Sequence, residues 1–212
     1  MDTTPVRYIF LDYDGTIIEN AEGEFLKEYF SLLSKKSGIE FNQLFQLVMS
    51  SVEESIRNMQ PNESLFEKFS KAISSKSEKP KEYWQNLFYD FYENEFDELS
   101  KIVKPNIELI ELIKKTNKKV IFASNPLFPK IATHKRIQFA GLEPDMFFYI
   151  AHMENSTYAK PNPLFFQEIL NKLNISPNEC VMIGDSEFDM SSEKAGIKFV
   201  HIDEVEKWKP IF

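Results

Sequence analysis

Two aspartates separated by a single residue, Asp12 and Asp14, close a short apolar run and are followed by Gly15-Thr16. If that run is a strand, side chains two apart point the same way, and Gly15 lets the chain turn sharply behind them. Carboxylates so placed can attack an electrophile, exchange protons or hold a hard cation, and they can also be a plain acidic turn. A second pair, Asp185 and Asp189, stands four apart in Gly184-Asp185-Ser186-Glu187-Phe188-Asp189, on one face if a helix begins there. By ligand type this is a site for an oxygen-seeking cation, or else a helix start enriched in acids by its dipole. Between the pairs lie Ser124-Asn125-Pro126 and Lys160-Pro161. The first offers a hydroxyl and a free N–H to a phosphate oxygen, or an ordinary N-cap. The second offers a local cation, or a solvated lysine.

The elements that must position these residues are readable as five compact apolar runs: Arg7–Asp12, Lys119–Ser124, Met146–Ala151, Cys180–Gly184 and Lys198–Ile202. Their near-continuous apolar character predicts strands covered on both faces, as in a parallel sheet. Helical patterns through Ile107, Ile110, Leu112 and Ile113, and through Phe165, Ile169, Leu170 and Leu173, alternate with them, which predicts a doubly wound α/β fold. Ligands of such folds bind beyond the carboxyl ends of the strands. Asp12, Ser124 and Asp185 each fall at such an end, and Lys160 follows the third strand, so all converge on one edge.

The connection after the first strand is anomalous. Roughly 80 residues separate Glu19 from Lys101, against the 2–6 of an ordinary βα loop. Four amphipathic stripes fill it, with breaks at Ser37-Gly38, Pro61-Asn62 and Ser77–Pro80. They predict an inserted helical bundle over 19–101, the α/β core being 1–18 and 102–212. Lys68, Lys71 and Lys76 read as its solvated face. Arg57, the one arginine in the insertion, is a candidate ligand for a substrate carboxylate or a solvated helix end.

Asp-Tyr-Asp-Gly-Thr, a strand ending in serine, Lys-Pro and Gly-Asp-x-x-x-Asp, in that order, resemble the four motifs of the haloacid dehalogenase superfamily over nearly the whole chain. The insertion is similar to the family's type 1 cap, nearest the phosphoglycolate-phosphatase-like branch, and no motif position departs from the pattern. The resemblance implies a Rossmann-like core and a Mg²⁺-dependent phosphatase that forms an aspartyl-phosphate on Asp12. It assigns the metal to Asp12, the backbone carbonyl of Asp14 and Asp185, with Asp189 in or just behind that shell. It makes Asp14 the general acid and base, and gives the phosphoryl oxygens to Ser124, the N–H of Asn125 and Lys160. Asp14 favours phosphate over halide chemistry, because a halide leaves unprotonated. A phosphomutase of the same family shares every motif. A phospho-accepting receiver or a degenerate binding module is the alternative from another class, although receivers are much shorter.

Composition narrows the field further. Apolar residues make up 42% and charged residues 27%, an ordinary globular balance. A formal charge of −8 disfavours nucleic acid as a partner and leaves a small phosphorylated metabolite in need of a local cation. Cys180, the lone cysteine, precludes an intrachain disulfide and reads as a buried hydrophobe in a reducing, cytoplasmic setting. The start, Met1 to Arg7, lacks the apolar stretch of a signal peptide, and no run is long enough to span a membrane. His134, His152 and His201 lack motif spacing and read as structural. Trp208 to Phe212 could dock on the core or serve an interface, and oligomeric state is open.

Overall fold

The structure, a computed structural model, describes residues 5–20 and 22–212. Met1–Thr4, the start of the segment assigned to the core, lie outside the described residues. Five strands form one parallel sheet: β1 (Tyr8–Leu11), β2 (Lys119–Phe122), β3 (Tyr149–Ile150), β4 (Cys180–Gly184) and β5 (Lys198–His201), in the order β3-β2-β1-β4-β5. β1 is central and wholly buried, pairing Tyr8–Leu11 with Lys119–Phe122 on one side and Cys180–Ile183 on the other. Alternate side chains divide between two apolar layers. Ile9, Leu11, Val120, Phe122, Val181 and Ile183 face one layer; Tyr8, Phe10, Ile121 and Met182 face the other. This is why the strand runs are apolar throughout. The third run pairs over two residues only, Tyr149 and Ile150 with Ile121 and Phe122. Pro144–Met146 form a 3₁₀ turn ahead of it, and β3 lies at the sheet edge.

Four helices fill the long connection: α1 (Glu22–Ser37), α2 (Phe41–Arg57), α3 (Leu65–Ser77) and α4 (Lys81–Asn94). Their ends follow local chemistry. Gly38 takes φ +70° between α1 and α2, the Glu40 carboxylate accepts from the Gln43 amide, and Ser64 with Glu67 forms a reciprocal cap on α3. Further helices are α5 (Ile107–Lys115), α6 (Lys130–Phe139), α7 (Leu164–Leu173), α8 (Glu187–Met190) and α9 (Val205–Trp208). The two chain crossings between sheet and insertion are tied together. Glu19 N–H donates to Lys104 O at 2.8 Å and Asn106 N–H to Ile17 O at 2.9 Å, while the Asn20 side chain bonds Ile102 O and the Lys104 amide.

The bundle is an inserted helical cap that shares its apolar cluster with the core. Phe25, Tyr29, Phe91 and Phe96 from the insertion pack with Phe128, Ala132, Phe139 and Met153 from the α/β part. Amides of Leu65 and Phe66 donate to the carbonyls of Ser156 and Met153. Lys68 corrects the reading of a solvated face. It is 2% exposed, its Nζ donating to Thr157 O at 2.9 Å and lying over the Tyr158 ring. A lysine stem can be buried along apolar surface when its head finds a carbonyl. Lys71 and Lys76 stay near the surface, paired with Glu63 and Glu54. At the tail, Trp208 is buried and donates to Ile202 O, and Thr116 donates to Phe212 O, so this segment docks on the core. Cys180 is free and buried. Among the described residues, no helix is long and apolar enough to cross a membrane.

Phe96 touches the rings of Phe25, Tyr29, Phe91, Tyr92, Phe128 and Phe139 at centroid distances of 5.2–6.3 Å. Phe96→Ala is expected to cost about 3–5 kcal/mol, the range for a buried aromatic truncated to a cavity. Urea unfolding measures it; a loss under about 1 kcal/mol would mean that this cluster does not hold cap to core.

Candidate active site

Asp12 follows the last residue of β1 and is buried. Its amide donates to Ile183 O at 3.1 Å, which sets it beside the end of β4. One turn of chain, Tyr13–Ile17, then folds back, with Gly15 at φ +69°. A side chain there would be doubly excluded: a Cβ would stand 2.1 Å from Asp185 Oδ2. The glycine of the first motif is therefore what lets the second acidic pair approach the first. Gly184 plays the same part beneath Asp189, whose Cγ would lie 2.4 Å from an added Cβ.

Lys160 is buried, and its ammonium bridges two carboxylates, donating to Asp12 Oδ1 at 2.8 Å and to Asp189 Oδ1 at 2.5 Å. The second oxygen of Asp189 accepts from the Ser186 amide and hydroxyl, at 3.2 and 2.8 Å, so both of its oxygens are engaged. Asn125 fixes the lysine from behind. Its Oδ1 accepts from the Lys160 amide at 3.0 Å, and its Nδ2 donates to the Lys160 carbonyl at 3.4 Å. Ser124 is buried at the end of β2, next to Ala123, whose amide donates to Leu11 O at 2.8 Å.

Asp12, Asp185 and Asp189 each offer a carboxylate oxygen within 4.8 Å of the others. Three carboxylates face one ammonium in this group, Asp12 and Asp189 buried and Asp185 exposed to solvent. The electrostatics reflect this arrangement. Burial pushes Asp12 up to about 7 despite the opposing pull of Lys160, and Asp189 adds to the rise. Asp185 is raised as well, by burial and then by Asp189. Burial works against the Lys160 ammonium, but Asp12 and Asp189 outweigh it and hold it above the usual lysine value. A hard divalent cation fits the donor set, since every candidate ligand is a carboxylate oxygen.

Asp14 is placed differently from its neighbour. Its two oxygens accept from one guanidinium nitrogen of Arg136 on α6, at 2.8 and 2.6 Å. Sequence reasoning passed over Arg136, although the chain has only three arginines, Arg7, Arg57 and Arg136; scarcity was the available signal. Arg57 is instead a solvated helix end, its side chain 78% exposed and paired with Glu53. His201, read as structural, touches the site's backbone, with Nε2 2.9 Å from Asp185 O. His152 pairs with Glu154, away from these residues in sequence and held to α6 through the Lys130 amide.

An acidic group at the carboxyl edge of a parallel sheet, in a core that carries an inserted helical bundle, is the arrangement of a capped α/β fold. The chain belongs to the haloacid dehalogenase-like hydrolase family, whose profile matches residues 6–195. No curated protein sequence matches it significantly. Among solved structures, L-2-haloacid dehalogenase from Xanthobacter autotrophicus superposes with a TM-score of 0.57 at 12% identity, covering 92% of this chain and 76% of that one. A predicted phosphoglycolate phosphatase from Haemophilus somnus gives 0.55 at 18% identity, covering 94% and 86%. CbbY from Rhodobacter sphaeroides, in complex with xylulose-1,5-bisphosphate, gives 0.57 at 14%, covering 92% and 85%. At these identities the likeness establishes the fold.

Removing one partner of a buried charge group leaves the others uncompensated. Lys160→Met is therefore expected to destabilise the chain by about 3–5 kcal/mol at neutral pH. Adding Asp189→Asn to that variant should restore part of the loss. If chemical denaturation shows Lys160→Met within about 1 kcal/mol of the parent, the ammonium is not what holds Asp12 and Asp189 together.

Proposed function

We propose that this protein is a magnesium-dependent phosphatase of a small phosphorylated metabolite, working through an aspartyl-phosphate on Asp12. The observation that carries the reading is the Lys160 bridge between Asp12 and Asp189, with Asp185 alongside. A buried carboxylate held by a neighbouring ammonium is a fixed nucleophile, and one whose environment is short of cationic charge attracts a metal together with a phosphate. Asp14 supports phosphate over halide as the group attacked, since only an alkoxide leaving group needs a proton.

The residues that would hold magnesium are Asp12, Asp185 and the backbone carbonyl of Asp14, with Asp189 anchored behind them by Ser186 and Lys160. When bound, the ion supplies positive charge between nucleophile and phosphate. An Asp12 oxygen attacks phosphorus as the bond to the leaving oxygen breaks, and Asp14 gives that oxygen a proton. Water then attacks the aspartyl-phosphate and yields its proton to Asp14, which frees orthophosphate and restores the Asp12 carboxylate. Lys160, Ser124 and the N–H of Asn125 hold the phosphoryl oxygens, where the charge of the transition state is spread.

Residues 19–101 serve as the lid, and residues 1–18 and 102–212 as the catalytic core. Docked against the 152–157 segment through Leu65, Phe66 and Lys68, the lid limits the substrate to a small molecule and shelters the acyl phosphate from bulk water. The chain's net negative charge and single free cysteine fit a cytoplasmic enzyme without a nucleic-acid partner.

The purified chain with Mg²⁺ is expected to hydrolyse p-nitrophenyl phosphate, with activity lost in EDTA and in Asp12→Asn. Acid quenching during turnover should trap phosphate on the peptide that contains Asp12. A folded protein without turnover on any phosphate ester would overturn the reading. Isomerisation of a sugar phosphate without phosphate release would replace it with a mutase.

A further inference from the structure

His201 closes β5, and its ring reaches across to the end of β4. The strand register pairs Gly184 with His201, and the Ile202 amide donates to Gly184 O at 2.8 Å. From there Nε2 lies 2.9 Å from Asp185 O, and Nδ1 lies 3.2 Å from the Asp203 amide nitrogen. A carbonyl can only accept and an amide N–H can only donate. The two backbone partners therefore assign the neutral ring: Nε2 carries the hydrogen and Nδ1 accepts. Both nitrogens are engaged, so the imidazole is fixed in place.

What the ring holds is one peptide unit with two duties. Its carbonyl, on Asp185, accepts from His201, and its N–H, on Ser186, donates to Asp189 Oδ2 at 3.2 Å. A peptide is planar, so the two groups turn together. Rotation that frees the carbonyl from His201 also withdraws the N–H from Asp189. A donor on the carbonyl further polarises the unit and strengthens its N–H. The Ser186 hydroxyl adds a second bond to the same Asp189 oxygen, at 2.8 Å. Asp189 Oδ1 then meets Lys160, and Lys160 meets Asp12. Asp185 is exposed to solvent, so the direction of its carboxylate depends on how firmly its backbone is held.

We infer that His201 is the positioning residue of the second acidic pair, fixing the 185–186 peptide so that Asp185 and Asp189 are set for a divalent cation. The inference rests on the reading of this edge as a magnesium site in a phosphatase. His201 acts through the main chain, as a support that orients metal ligands from behind.

The test is the affinity for Mg²⁺ alone, measured by isothermal titration calorimetry on the metal-free chain and on His201→Leu, His201→Asn and His201→Gln. Leucine removes both ring nitrogens, the asparagine amide is too short to reach Asp185 O, and the glutamine amide can still donate to it. The His201 side chain is 37% exposed, so water replaces part of its hold, and the expected loss stands at the low end for such supports. His201→Leu and His201→Asn should weaken Mg²⁺ binding about tenfold, and His201→Gln should recover most of the loss. A merely structural role would lower the urea midpoint and leave the Mg²⁺ affinity of the folded protein alone. Unchanged affinity in folded His201→Leu overturns the inference; if that variant does not fold, unchanged affinity in His201→Asn does so. A His201→Gln as weak as the other two overturns it as well. The expected pattern without turnover of any phosphate ester supports this inference and overturns the phosphatase reading. A parent chain that does not bind Mg²⁺ overturns both.

Discussion

One buried ammonium holds the site together. Lys160 stands between Asp12 and Asp189 with little water to screen either pair, so each contact is stronger than it would be at the surface and each is costly to lose. The same group is still electrically incomplete, because Asp185 adds a third carboxylate to the cluster. Asp185 meets this deficit from the solvent side, where water as well as a cation can reach its carboxylate. The three carboxylates could hold a cation at this edge of the sheet, in a protein whose overall charge is −8.

Everything else in the α/β part can be read as the means of bringing those charges within reach. Parallel strands deliver their carboxyl ends to one edge, so Asp12 and Asp185, far apart in sequence, become neighbours through the pairing of β1 with β4. Final approach depends on missing side chains. Gly15 admits Asp185 and Gly184 admits Asp189, at separations no Cβ would allow. Lys160 arrives from a loop, where a long flexible side chain would ordinarily wander; the Asn125 amide removes that freedom by gripping the Lys160 backbone on both its N–H and its carbonyl.

Motif spacing made most of this legible before any coordinates, because the chemistry constrains residue type and strand end together. Asp12, Asp185, Asp189 and Lys160 carry charge where a parallel sheet concentrates ligands, and the helical insertion shows itself by a 3.6-residue rhythm over several turns. What stayed hidden was set by partners distant in sequence. Lys68 looks like any helix-surface lysine until the cap docks on Thr157 and Tyr158. Arg136 lies on a helix without a marked apolar face, and its rings come from three separate segments. His201 gains its meaning only because β5 lies beside β4, which brings the ring to the Asp185 carbonyl. The edge strand β3 came out shorter than its apolar run, since hydrophobicity marks burial and not the extent of pairing.

The cap and the core are therefore not independent in the way an insertion between two strands might suggest. Phe25 and Phe128 lie edge to face at 6.1 Å, and both also cover Arg136. Arg136 thus lies where cap and core meet, with the Phe25 ring of α1 and the Tyr13 and Phe128 rings of the α/β part 4.4–4.9 Å from its guanidinium carbon. The side chain that packs against Phe25 of the cap is the same one that pairs with Asp14, so the docking of the bundle and the setting of this carboxylate share one group.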